Sequence, residues 1–347
     1  MTALLIIVVL ALFFDFVNGF HDAPNSIATV VATKVLTPLQ AVIWSAAFNF
    51  VAYFIAKFVI GEFGIADTVS KIVETSMIAH PSRVIIAGLI AAIFWNLLTW
   101  KLGIPSSSSH TLIGGLAGAA YMSSGLKSIH MGVVGIIALF IFVAPLIGFI
   151  AGNIITIITM HIVKNMRPVK ADIYFKRLQL LSSALLSIGH GLNDSQKVMG
   201  IIAAALIAAT ALNPDIHPFL RMSNMADMHD WIPLACFFAI SAGTLCGGWK
   251  IMKTMGNKIT KIHPFEGFSV QTASAITLFI TEVLHVPVST THVISGSIMG
   301  VGSVKRLSAV RWGITRNLMT AWVLTIPVSA LIGALAFWIL NAFENLF

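Results

Sequence analysis

The stretch Gly19-Phe20-His21-Asp22-Ala23-Pro24-Asn25-Ser26 returns in altered form as Gly191-Leu192-Asn193-Asp194-Ser195-Gln196-Lys197. Each copy sets a carboxylate inside an apolar run. A second pair follows in the same order. Pro105-Ser106-Ser107-Ser108-Ser109-His110 matches Pro287-Val288-Ser289-Thr290-Thr291-His292, and Pro145 and Pro327 keep the spacing of that pair. The chain therefore reads as one unit written twice, over 1–160 and 179–347, joined at 161–178. Each unit runs from a polar break through two spans to a Pro–Ser/Thr–His break, then a small-residue span and a long span containing proline.

The rest of the sequence says what kind of unit this is. Of 347 residues, 57% are apolar and only 10% charged. A soluble domain carries about 25% charged residues, so this chain cannot cover a water-facing surface. Val35–Ala56, Leu102–Leu126, Met131–Met160, Val283–Val304 and Asn317–Phe343 hold no Asp, Glu, Lys or Arg. About 20 apolar residues cross a bilayer as a helix. No ten-residue alternation of barrel strands is present. The expectation is an all-α polytopic membrane protein of about 10–12 transmembrane segments, with residues 1–20 a first span and not a signal peptide. Cys236 and Cys246 share one span without CxxC spacing and read as apolar fillers.

Lys and Arg number 21 against 13 Asp and Glu. The excess sits between spans, so it sets membrane orientation and does not indicate nucleic acid. The joint at 161–178 carries Lys164, Arg167, Lys170, Lys176 and Arg177 against Asp172, and reads as a cytoplasmic linker. Segment 62–83 is acidic on balance (Glu62, Asp67, Glu74 against Lys71, Arg83). Its repeat counterpart, 250–266, is basic (Lys250, Lys253, Lys258, Lys261 against Glu266). Equivalent loops of opposite charge imply opposite sides, hence two inverted-topology repeats with both termini outside. That architecture belongs to transporters, which bind substrate near the midplane through broken helices.

Asp22 and Asp194 are then the first site candidates, because a carboxylate within a span costs about 2.5–3.5 kcal/mol and is kept for function. Both also resemble helix N-caps. Asn25 lies three residues past Asp22, where its oxygen can join a hard cation such as sodium. The second constellation is Ser107, Ser108, Ser109 and Thr111, with Ser289, Thr290 and Thr291. Each cluster leads into a small-residue helix whose N-terminus offers unpaired N–H groups to an anion. His110 and His292 end these clusters and are expected to brace them. His21, His190, Asn193 and Lys197 flank the aspartates as supporting residues. Asp15 and Glu282 are the other charges near spans.

These four motifs, in this order, resemble the paired signatures of the PiT family of inorganic phosphate transporters, in its prokaryotic branch. The resemblance implies an inverted-repeat carrier in the cell (inner) membrane that moves phosphate with sodium, or in some members with protons. It needs no cofactor, and the resemblance also implies a homodimer. By position, it implies that Asp22, Asn25 and Asp194 form cation sites and that Ser107–Ser109, Thr111 and Ser289–Thr291 form the phosphate site. The chain departs from other branches in having His21 and Lys197 where they have Asn, and Asn49 and Gln271 near their glutamates.

Two rival readings belong beside this one. Paired membrane aspartates suggest an intramembrane protease, and Gly191-Leu192-Asn193-Asp194 is one residue from a GxGD motif. The duplication argues against it, since a dyad needs distinct partners. A sulfate carrier would use the same hydroxyls and helix ends, but a carboxylate acceptor favours phosphate, which can offer a proton.

Overall fold

The computed structural model describes residues 2–343, apart from 74–76, 79 and 214. Glu74, counted above in segment 62–83, lies outside the described residues. Helices are α1 (Thr2–Ala32), α2 (Pro38–Ile55), α3 (Gly64–Ser70), α4 (Pro81–Leu102), α5 (Ser108–Ser124) and α6 (Met131–Val163). They continue as α7 (Pro168–Leu212), α8 (Trp231–Cys246), α9 (Trp249–Lys253), α10 (Pro264–Val283), α11 (Thr290–Lys305) and α12 (Trp312–Ala342). The described chain is all-helical.

The start and stop signals are local. Pro38, Pro81, Pro168 and Pro264 each open a helix, where a missing N–H costs nothing. Thr37 and Gln40 close a capping box on α2. Gly103 ends α4 at φ 71°, a left-handed cap that favours glycine. The expected linker 161–178 holds the end of α6, a short break at 164–167 and the first turns of α7.

Among the described residues six helices are long and apolar enough to cross a membrane: α1, α2 with its π-turn to Ile60, α4, α6, α7 and α12. The pair α8–α9, bent by 65°, makes a seventh. By contrast α5 and α11 have 17 and 16 residues, short for a full crossing. Both begin inside the protein, where their first turns are buried.

The packing exchanges partners between the two halves. α5 lies along α12, and α11 lies along α6. α1 lies along α8, and α7 lies along α2. Every pairing thus has its counterpart six helices on. Small residues make this possible. A Cβ on Gly118 of α5 would run into the Ala330 carbonyl of α12, and one on Gly300 of α11 into the Phe149 carbonyl of α6. Lipid tails supply no hydrophobic drive between helices, so close backbone approach and van der Waals contact hold such seams.

One expectation fails. Asp22 and Asp194 do not start helices: α1 and α7 run unbroken past both, with Pro24 inside α1. The reason is where the carboxylates go. Each is used sideways, by neighbouring side chains, and is not free to cap its own backbone. The breaks lie instead before α5 and α11, where Ser107 and Ser289 are the caps.

Candidate functional site

The centre of the protein is polar. α1 is buried without interruption from Val17 to Val30, and α7 from Leu186 to Ala203. A soluble helix would present only one stripe to its neighbours. Here all faces of both helices are covered, so their polar residues must find partners inside.

Asp22 and Asp194 face each other. One carboxylate oxygen from each, with a ring nitrogen of His190, lie within 4.8 Å of one another. Asp22 Oδ1 is 2.6 Å from His21 Nδ1, and Asp22 Oδ2 accepts from the Thr290 hydroxyl at 3.3 Å. Asp194 Oδ1 accepts from Lys197 Nζ at 2.6 Å. Its Oδ2 lies 3.2 Å from His190 Nε2 and accepts from the Asn18 amide at 3.5 Å. Two aspartates and one lysine leave the group with one net negative charge.

The hydroxyl clusters arrive at this group from α5 and α11. Asn25 donates to Thr290 Oγ1 and Thr291 Oγ1 at 3.1 and 3.0 Å. Lys197 donates to Ser109 Oγ at 2.6 Å and to the Val288 carbonyl at 2.7 Å. Ser107 and Ser289 accept from the backbone N–H groups of His110 and His292. Their hydroxyls therefore cap helices, as their positions after a proline allowed. Thr111 donates back to the Ser107 carbonyl at 2.8 Å. Ser108 Oγ and both amide atoms of Asn193 are buried without a partner. A buried polar atom left unpaired costs about 1–3 kcal/mol, so these atoms have hydrogen-bonding capacity free for a polar guest.

The histidines divide into two kinds. His21 and His190 touch the aspartates; His21 also reaches Thr99 at 3.1 Å, and His190 reaches Asn49 at 3.2 Å. His110 and His292 stand behind the helix starts, ring against ring at 4.8 Å. His292 packs 4.2 Å from Trp322, whose indole donates to the Pro105 carbonyl. Their rings thus bring the two breaks into contact.

The structure also adds members. Thr99 of α4 and Ser106 join His21 in one hydrogen-bonded knot, and Asn18 reaches Asp194 across the two helices. Asn18 lies four residues before Asp22, on the same face, a signal the sequence carried. Nothing near Thr99 marked it. Gln271 donates to the Ser26 carbonyl, next to Asn25. Of the outlying charges, Glu282 Oε1 accepts from Gln196 at 2.5 Å. Asp15 is buried with neither oxygen hydrogen-bonded.

Two helix starts with their N–H groups, a ring of hydroxyls and a pair of carboxylates can together hold an oxyanion beside cations. A family model described as the phosphate transporter family matches residues 18–333. The chain belongs to the phosphate transporter family. It is 45% identical over 335 residues to a probable low-affinity inorganic phosphate transporter of Rhizobium meliloti (strain 1021), covering 96% of this chain and 95% of that one. It is 44% identical over 339 residues to a protein of the same description from Bacillus subtilis (strain 168), covering 97% of each. A solved structure, the sodium-dependent phosphate transporter, has the same fold with a TM-score of 0.78. The match covers 99% of this chain and 100% of that one, at 24% identity. The resemblance read from the four motifs is borne out. A phosphate transporter is a carrier and not an enzyme, so the protease reading of the paired aspartates is set aside.

Proposed function

We propose that this protein imports inorganic phosphate across the cell (inner) membrane together with sodium ions, by alternating access. Phosphate would sit between the N-termini of α5 and α11, against Ser108, Ser109, Thr290 and Thr291, with the Asn193 amide beside it. Sodium would be held by Asp22, Asn25 and the facing hydroxyls. The observation that carries this reading is the charge of the group. Asp22, Asp194 and Lys197 already sum to one negative charge, all buried. An anion added there without cations would meet repulsion of about 4 kcal/mol per unit charge pair at 4 Å and an effective dielectric near 20. Oxygen ligands without soft donors suit hard cations.

In this reading the two sets of six helices are inverted relative to one another and both termini lie outside. The opposite charges of 62–83 and 250–266 support the inversion, and the exchange of α5–α12 for α11–α6 supports the twofold repeat. Rocking one exchanged pair against the other would open the site to each side in turn.

The test is uptake of labelled phosphate by purified protein in liposomes, with sodium and proton gradients imposed separately. Accumulation is expected with an inward sodium gradient. Accumulation driven by a pH gradient in sodium-free liposomes would replace sodium by protons. Competition by sulfate at equal concentration would broaden the substrate.

A further inference from the structure

The two halves are not chemically equal at the site. Asn25 follows Asp22 by three residues, and Lys197 follows Asp194 by three. The structure places their side chains in matching positions. Asn25 donates to Thr291 of α11. Lys197 donates to Ser109 of α5, which is the repeat counterpart of Thr291. The lysine, however, takes a further step. Its ammonium is held by a carboxylate oxygen of Asp194 at 2.6 Å, a hydroxyl of Ser109 at 2.6 Å and the backbone carbonyl of Val288 at 2.7 Å. The side chain is 4% exposed.

An ammonium has three N–H donors and no acceptor, and all three are used here. Carboxylate, hydroxyl and carbonyl oxygens converging on one point also make the donor set that a hard monovalent cation takes. We propose that Lys197 is a tethered cation: its Nζ occupies a cation position between α7 and the N-terminus of α5, so one coupling sodium is built into the chain. This rests on the sodium-coupled reading above and deepens it. On the other side of the site Asn25 brings no charge, and Asp22 meets His21 and Thr290, with no lysine or arginine against it among the described residues. The exchangeable sodium therefore belongs to the Asp22–Asn25 side. A fixed charge cannot be left behind on the far side of the membrane, so each phosphate moves with one sodium fewer than a symmetric site would carry.

The alternative is that Lys197 only neutralises Asp194 to let α7 pack. The two differ in what happens when the lysine is removed. Lys197→Asn copies the first half, and Lys197→Ala simply vacates the three oxygens. The experiment compares wild type with both variants in liposomes, reading the ratio of labelled sodium to labelled phosphate taken up. It also reads the melting temperature of each purified protein against sodium concentration. Expected is a ratio higher by one sodium in Lys197→Asn, and a sodium-dependent rise in melting temperature in both variants that exceeds that of wild type. Folding of the variants only in sodium would be the same result in stronger form. An unchanged ratio with unchanged sodium stabilisation overturns the proposal. So does failure of both variants to fold at every sodium concentration, because sodium then does not replace the ammonium. If wild-type uptake proves independent of sodium, the coupled reading above fails. The melting curves of the variants still decide whether the vacated position takes the ion.

Discussion

Substitution of Asp194 by Asn separates what the two aspartates do for stability. The side chains of Asp194 and Lys197 are 2% and 4% exposed, with Nζ 2.6 Å from Oδ1. Asn keeps the size and one acceptor but leaves the ammonium buried without a counter-charge. Removing one member of a buried ion pair costs about 3–5 kcal/mol, chiefly through the charge left behind. Among the described residues Asp22 has no lysine or arginine partner. Its oxygens meet His21 Nδ1 and the Thr290 hydroxyl, so Asp22→Asn forfeits hydrogen bonds of about 1–3 kcal/mol together. At about 1.4 °C per kcal/mol for a chain of this size, Asp194→Asn is expected to melt about 4–7 °C below wild type, and Asp22→Asn about 1–4 °C below. The measurement is thermal unfolding of purified protein in sodium-free buffer, because bound ions would stabilise the folded state by mass action. The double variant Asp194→Asn with Lys197→Met supplies the control. Removing both charges leaves nothing uncompensated, and it should recover most of the loss. If Asp194→Asn and Asp22→Asn melt together, or if the double variant is no better than Asp194→Asn alone, the buried pair is not what holds α7 here.

Two further expectations concern packing and topology. Gly118→Ala places a methyl against the Ala330 carbonyl, while Gly135 of α6 has nothing within 4 Å of an added Cβ. The first should destabilise by about 1–3 kcal/mol and the second should stabilise by about 0.5–1 kcal/mol, as read by thermal unfolding; equal effects would show that the α5–α12 seam is not tight. Cysteines at Asp67 and Lys258, in a Cys246→Ser background, should react with an impermeant reagent from outside and inside respectively, and labelling of both from one face would remove the inverted arrangement.

The transporter fold and the family were legible in the sequence because they rest on features that are local or duplicated. Apolar runs of membrane length, prolines at helix starts and charge between spans are each readable within about 20 residues. The double occurrence of Asp22 and Asp194, and of Ser107–Ser109 and Ser289–Thr291, picked out, without any knowledge of distance, groups that the structure brings together. His110 and His292 each follow a cluster directly, and the structure stacks their rings against one another. What failed was equally local in form: the residues around Asp22 look like a cap. A side chain that caps its own helix and one that bonds a neighbouring helix have the same sequence, and only the partner tells them apart.

Those partners were decided by tertiary structure alone. Asn25 meets Thr290 and Thr291 across 265 residues of chain, and Thr99 reaches His21 from α4. The first of these contacts depends on the exchange of α5 and α11 between the halves, which glycines such as Gly118 and Gly300 permit through shape and not through any pattern of polarity. Lys197 shows the division most clearly. In sequence it is a charge three residues from an aspartate, free to reach an interface. In the folded protein it is buried among three oxygens from α7, the start of α5 and the turn before α11. In a membrane interior a charge keeps its place only where ligands are assembled for it, and assembling them takes segments distant in the chain.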